Sequence, residues 1–182
     1  GVPDSLLKDF LAYLTQNIPF PNHIIAANEG NAIGLAIGSY LATGKIPLVY
    51  LQNSGLGNTI NPLLSLADKS VYGIPILLLI GWRGKPGVVD EPQHFMQGIT
   101  TTKILETIKI PYLIINNKYS VKEIEQLIKE ATNKAIINQH PFGIIIEKNT
   151  FEIYKSIEEE PQPDFLSREE AMEICIDNIN NH

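Results

Sequence analysis

Residues 75–80 are almost wholly aliphatic, and this run limits more than any other feature what the chain can fold into. A strand without polar residues is buried on both faces, which is typical of a parallel sheet. Four further apolar runs, near residues 23–27, 46–51, 112–115 and 142–146, alternate with segments of helical spacing. Connections between such strands require crossovers. The sequence therefore predicts an α/β fold, a mostly parallel open sheet with helices on both faces.

Charge and composition exclude several classes of protein. The 182-residue chain has a formal net charge of −6 and no basic stripe, which argues against general nucleic-acid binding. No apolar run reaches membrane-spanning length, and a single cysteine excludes an intrachain disulfide. We therefore expect a cytoplasmic protein with no membrane contact. The pattern predicts one domain at residues 1–147, an exposed linker at 148–166 and a helix at 167–182 leading towards a second domain.

Glu29 lies where the apolar run of residues 23–27 gives way to a helical pattern. Open α/β folds bind ligands at the carboxyl ends of their strands, so this position favours a site residue. A carboxylate in the first turn of a helix also complements the helix dipole. Position alone leaves both interpretations open.

Three other loops carry polar groups at corresponding places in the pattern. The first, residues 1–5, contains Asp4 and Ser5, either of which could simply cap the following helix. The second, residues 52–58, is glycine-rich but lacks the spacing of a P-loop or of G-x-G-x-x-G. The third, residues 81–94, is long for a compact domain, and such loops are often functional.

Taken in order, four motifs resemble the pyrimidine-binding domain of thiamine diphosphate-dependent decarboxylases. They are Gly1-Val2-Pro3-Asp4-Ser5, Ala27-Asn28-Glu29-Gly30, Gln52-Asn53-Ser54-Gly55-Leu56-Gly57-Asn58, and Gly81-Trp82-Arg83-Gly84 through Asp90-Glu91-Pro92-Gln93-His94. The last motif is most similar to the phosphonopyruvate decarboxylases, and the sulfopyruvate decarboxylase alpha subunits are near relatives. The resemblance implies non-oxidative decarboxylation of phosphonopyruvate, a small anionic 2-oxo acid, to phosphonoacetaldehyde and carbon dioxide in phosphonate biosynthesis.

The same resemblance implies roles for individual residues. Glu29 matches the catalytic carboxylate that hydrogen-bonds N1′ of the cofactor's aminopyrimidine and favours its imino tautomer. Cofactor contacts would also come from Pro3, Ser54, Gly55 and Asn58. Substrate contacts would come from Asp4, Ser5, Arg83, Lys85, Gln93 and His94, with Arg83 and Lys85 neutralising the phosphonate.

One motif of the family is missing from this sequence. The Gly-Asp-Gly segment with a following asparagine, which holds Mg²⁺ and the diphosphate, does not occur. The resemblance therefore implies that a diphosphate-binding domain of the same or a neighbouring chain binds the Mg²⁺, within a homo-oligomer, and no metal ligand is assigned here. Two alternatives remain open, namely sulfopyruvate as substrate and, outside the enzymes, a nucleotide-binding or regulatory α/β module.

Overall fold

The computed structural model describes residues 1–155, 170, 172–174 and 176–177. One parallel sheet, in the order β1-β2-β4-β3, is formed by β1 (Leu48–Gln52), β2 (Leu77–Gly81), β3 (Tyr112–Ile115) and β4 (Phe142–Ile146). The helices are α1 (Lys8–Asn17), α2 (Glu29–Thr43), α3 (Leu56–Pro62), α4 (Phe95–Thr107) and α5 (Val121–Asn138). The predicted α/β class with a parallel sheet is confirmed.

The core lies on both faces of this sheet. Strands β2 and β4 are buried along their whole length, as the aliphatic run at residues 75–80 predicts. Side chains alternate along each strand, so Leu78 and Ile80 pack with residues of α2, α3 and α4, whereas Leu77 and Leu79 pack with residues of α1 and α5. Helices therefore cover both faces, which the sequence also predicts.

The predicted strand at residues 23–27 is wrong. This segment is extended, but within the described part of the chain Ile24 and Ala26 pair with Gly1 alone, through two backbone hydrogen bonds of 2.9 Å. Ile25 is 61% exposed, unlike the residues of the central strands. A strand requires a continued backbone ladder, and an apolar run of five residues does not reveal whether a partner for that ladder exists.

Residues 1–2 nevertheless lie between this extended segment and the sheet. The Val2 amide donates to the carbonyl oxygen of Tyr50 in β1 at 2.9 Å, while Gly1 pairs with residues 24–26 on its other side. The loops that follow residues 1–2, β1, β2 and β4 consequently meet at the carboxyl edge of the sheet, where parallel folds bind their ligands.

Helix ends agree with the local sequence signals. Ser120 and Glu123 form the predicted capping box at the start of α5, and Gly44 ends α2 with a left-handed φ of 69°. Residues 156–166 of the predicted linker, and most of the predicted helix at 167–182, lie outside the described residues. Within the described part of the chain, no helix combines the length and apolar character needed to cross a membrane.

Candidate active site

Glu29 is the first residue of α2 and lies beside the loop that follows β1. Its Oε2 accepts a hydrogen bond of 2.8 Å from the Asn58 side-chain amide. Gly55 packs against the same carboxylate so closely that a methyl group on its Cα would overlap it. Oε1 has no hydrogen-bond partner among the described residues, so the carboxylate is positioned but retains one oxygen for a ligand. Its place in the first turn of α2 also fits the helix-dipole interpretation.

An apolar cleft of about 480 Å³ lies next to Glu29 in the chain. It is lined by Ile25, Ala26, Ala27, Gly30, Asn31, Gly34 and Leu35. A flat heterocycle with one polar edge suits such a surface, because the apolar lining removes ring carbons from water while a carboxylate meets the ring nitrogen. The cleft therefore suits an aminopyrimidine ring, and Glu29, which precedes the lining residue Gly30, is the carboxylate nearest to it along the chain.

Asp90 organises a second cluster, in the loop between β2 and α4. Its carboxylate accepts 2.9 and 2.6 Å bonds from Arg83 Nε and Nη2, bonds of 2.8 and 2.9 Å from the amides of Gly84 and Glu91, and a 3.0 Å contact from His94 Nδ1. The hydrogen bonds from Arg83 hold the pKa of Asp90 far below its usual range. A carboxylate that stays charged can only accept, so it favours the His94 tautomer that carries its proton on Nδ1.

Asp4 and Ser5 reach this cluster from the start of the chain. Arg83 Nη1 donates to the Ser5 hydroxyl oxygen at 2.7 Å. Asp4 is 5% exposed, neither carboxylate oxygen meets the geometric criteria for a hydrogen bond, and burial raises the pKa of its carboxyl. Gly81 leaves the space that this carboxyl occupies. Asp4 precedes the first helical turn and makes no capping hydrogen bond, but the backbone amides of Leu6 and Ser5 partly offset the effect of burial on its pKa, so both the capping and the substrate interpretation of Asp4 stand.

The remaining predicted site residues are more scattered. The Lys85 ammonium forms a 2.6 Å ion pair with Glu147 and lies over the Trp82 ring, so its charge is offset within the protein. The Ser54 hydroxyl accepts from Gln52 at 2.7 Å. Pro3 and Gln93 are exposed. The structure thus brings Glu29, Gly55 and Asn58 into one group, and Asp4, Ser5, Arg83 and His94 into another.

Asn53 connects the two groups and was not identified from the sequence. Its side-chain amide donates 2.8 Å bonds to the Arg83 carbonyl oxygen and to the Thr101 hydroxyl, and its Oδ1 accepts from the Arg83 amide. It is 1% exposed. A single asparagine after an apolar run gives no signal of this role, because its partners lie 30 and 48 residues away in the chain.

We expect Asp90→Asn to change the imidazole of His94. An asparagine side chain can offer an N–H instead of a carboxylate oxygen, so Nδ1 loses its acceptor and the proton is no longer held there. At alkaline pH, ¹⁵N spectra of the imidazole should show the protonated nitrogen moving from Nδ1 towards Nε2. The free energy of unfolding should fall by about 2 kcal/mol, because hydrogen bonds to a charged group are lost.

Glu91→Gln is the matched control for this prediction. It removes a neighbouring, exposed carboxylate that makes no side-chain hydrogen bond within the described residues. Its ¹⁵N spectrum should match that of the unmodified protein. If the ¹⁵N spectra of His94 were identical in Asp90→Asn, Glu91→Gln and the unmodified protein, Asp90 would not set the tautomer.

Comparison with known proteins identifies the family of the chain. Residues 1–104 match the family described as thiamine pyrophosphate enzyme, N-terminal TPP binding domain. The chain belongs to this family. Its cofactor is therefore thiamine diphosphate, also called thiamine pyrophosphate, and membership favours an enzyme over a nucleotide-binding or regulatory module.

Curated relatives of this TPP-binding domain include sulfopyruvate decarboxylases and phosphonopyruvate decarboxylases. The sulfopyruvate decarboxylase subunit alpha of Methanococcus maripaludis is 38% identical over 147 residues, which are 81% of this chain and 83% of that protein. The phosphonopyruvate decarboxylase of Streptomyces viridochromogenes is 36% identical over 146 residues, which are 80% of this chain and 35% of that protein. The sulfopyruvate decarboxylase of Methanosarcina acetivorans is 35% identical over 132 residues, with 71% and 32% covered. A chain of this length thus matches a separate subunit in one case and about a third of a longer protein in the others.

Proposed function

We propose that this chain is the pyrimidine-binding half of a thiamine diphosphate-dependent decarboxylase that converts phosphonopyruvate to phosphonoacetaldehyde and carbon dioxide. The observation that carries the proposal is the Glu29 carboxylate, held by Asn58 against the bare backbone of Gly55 beside an apolar cleft. The family match supplies the cofactor, and relatives named decarboxylases support the reaction class.

Thiamine diphosphate, when bound, supplies the electron sink that a 2-oxo acid needs to lose its carboxylate. Glu29 would hold a proton at N1′ of the pyrimidine, and Asn58 keeps the carboxylate in place for it. During the reaction the bond between C1 and C2 of the substrate breaks, carbon dioxide leaves, and a proton takes its place on C2. We assign this proton transfer to His94, because Asp90 holds its Nδ1 while Nε2 has no partner among the described residues.

The Mg²⁺ and the diphosphate would be bound by a second, diphosphate-binding domain, of the same or a neighbouring chain. Helix α2 offers a surface for that domain, since Leu35 and Leu41 are 50% and 61% exposed. A methyl group on Gly34 or Gly38 would meet no atom within 4 Å, so the helix backbone itself is open to close approach. Relatives named subunit alpha support an enzyme built from two parts.

Sulfopyruvate is the second candidate substrate. The matched sulfopyruvate decarboxylase subunit alpha is covered over 83% of its length, whereas the phosphonopyruvate decarboxylase is covered over 35%. Phosphonate and sulfonate are both tetrahedral anions of similar size, and they differ in charge. The ratio of kcat/KM for the two substrates decides between them.

The test uses this chain together with the diphosphate-binding part that completes the enzyme. We expect release of carbon dioxide and an aldehyde only when both parts, thiamine diphosphate and Mg²⁺ are present, and calorimetry should show saturable cofactor binding. Failure of the complete enzyme to bind the cofactor or to release carbon dioxide would overturn the proposal. Full turnover by this chain alone would overturn the two-part arrangement.

A further inference from the structure

A second cleft, of about 650 Å³, lies at the same edge of the sheet on the side of α1. Its lining includes Ser5, Lys8, Asp9, Arg83, Lys148 and Phe151. Neither Lys8, in α1, nor Lys148, which follows β4, belongs to the loops that the sequence patterns group into the site. In a chain with a net charge of −6, a cleft with three cationic side chains and one carboxylate is a local excess of positive charge.

The three cationic side chains of this cleft differ in whether protein groups already bind them. Arg83 donates hydrogen bonds to Asp90 and to Ser5; Asp90 offsets its charge, so its part is to fix the Ser5 hydroxyl. Lys8 and Lys148 are exposed and form no ion pair within the described residues. Asp9, the one acidic lining residue, accepts a 3.0 Å bond from the Tyr154 amide. Both lysines are therefore available to an anion.

The order of the strands sets how far this cleft lies from the Glu29 carboxylate. Reading across the sheet, Glu29 follows the extended segment of residues 24–26, Ser5 follows residues 1–2, Arg83 follows β2 and Lys148 follows β4. Neighbouring strands are about 4.8 Å apart, so Lys148 lies several strand spacings away from Glu29. Ser5 and Arg83, which line the cleft, follow segments that lie between those two.

We infer that this cleft binds the tetrahedral anionic end of the substrate, the phosphonate or sulfonate, through Lys8, Lys148 and the Ser5 hydroxyl. The inference rests on the proposed function and names the residues that recognise the substrate class. It also replaces Lys85 in that role, because Lys85 is paired with Glu147.

The chemistry of decarboxylation decides which end of the substrate the lysines bind. The carboxylate that becomes carbon dioxide loses its charge as the reaction proceeds, so cations placed on it would stabilise the ground state more than the transition state. The phosphonate or sulfonate keeps its charge throughout. Lysines bound to that end strengthen substrate binding without opposing the loss of carbon dioxide. The Ser5 hydroxyl proton, which no acceptor among the described residues takes, completes the set of donors.

The first experiment measures kinetics of the complete enzyme with Lys148→Gln and Lys8→Gln. We expect kcat/KM for the anionic substrate to fall about tenfold in each variant, as for loss of one hydrogen bond to a charged group, mainly through KM. Lys148→Arg should restore most of the activity. With pyruvate, which has no charged group at C3, kcat/KM should stay unchanged. The control is Lys69→Gln, which makes the same charge change at the opposite edge of the sheet.

The second experiment titrates the chain with methylphosphonate and follows ³¹P chemical shift and line width, which require no turnover. Binding that weakens about tenfold in Lys148→Gln but not in Lys69→Gln supports the inference. The inference would be overturned if Lys8→Gln and Lys148→Gln both left methylphosphonate affinity and kcat/KM unchanged. It would also be overturned if the variants lost kcat/KM equally with pyruvate. If the complete enzyme fails to decarboxylate any substrate, the proposed function fails, and the methylphosphonate titration alone decides whether the cleft binds the anion.

Discussion

Glu29→Gln should lower kcat of the complete enzyme by about 100-fold or more while leaving the fold intact, as expected for loss of a positioned acid–base group. Glutamine keeps the length of the side chain, and its oxygen can still accept the bond from Asn58. It cannot take up and return a proton at the cofactor's N1′. Circular dichroism and thermal unfolding should match those of the unmodified protein, and steady-state release of carbon dioxide should not.

Two further variants separate this effect from a general loss of charge. Gly55→Ala keeps Glu29 but places a methyl group where its carboxylate lies, so turnover should fall with little change in stability, because only the mobile end of a side chain must move. Glu91→Gln removes an exposed carboxylate elsewhere in the site region and should leave kcat within about twofold. Near-normal turnover of Glu29→Gln would rule out the assigned role.

Gly98→Ala should produce the largest loss of stability, about 3 kcal/mol or more in the free energy of unfolding measured with urea. The added methyl group would overlap the carbonyl oxygen of Gly84, which is backbone and cannot rotate away. The same contact positions Trp82, whose indole N–H donates to the Gly98 carbonyl oxygen at 2.9 Å. Displacing this loop would also move Arg83 and His94, so activity should fall together with stability.

The matched control for Gly98→Ala is Gly34→Ala in α2. Both replace a helical glycine, but a methyl group on Gly34 enters open space. Alanine has the higher helix propensity, so this variant should be more stable than the unmodified chain by about 0.5–1 kcal/mol. Equal unfolding midpoints for the two variants would contradict the close packing of the loop against α4.

Sequence patterns predicted those parts of the molecule that depend on local interactions. Aliphatic runs identified β2 and β4, and the Ser120–Glu123 pair marked the start of α5. The placement of Glu29 at the start of a helix also followed from the pattern, within two residues. The extended segment at residues 23–27 was wrongly predicted as a strand because backbone pairing depends on a partner elsewhere in the chain.

The polar connections of the site could not be predicted in the same way. Asn53 and Thr101 meet across 48 residues, and Arg83 meets Ser5 across 78. Charge and loop position likewise did not reveal that Lys85 forms an ion pair with Glu147, 62 residues later in the chain. Asp90 was part of a recognised motif, yet its four hydrogen-bonding partners, Arg83, Gly84, Glu91 and His94, became evident only in three dimensions.

The glycines of α2 affect the stability of this chain alone and the assembly of the complete enzyme in opposite ways. Gly34 and Gly38 each lower the stability of an isolated helix by about 0.5–1 kcal/mol relative to alanine, and nothing in the described chain offsets this. On the arrangement we propose, a neighbouring domain lies close to that backbone, and the cofactor's pyrimidine lies in the cleft that Gly34 lines. Gly34→Ala would then strengthen the lone chain and weaken the assembled enzyme, so variants selected for the thermal stability of this chain alone would tend to lose function.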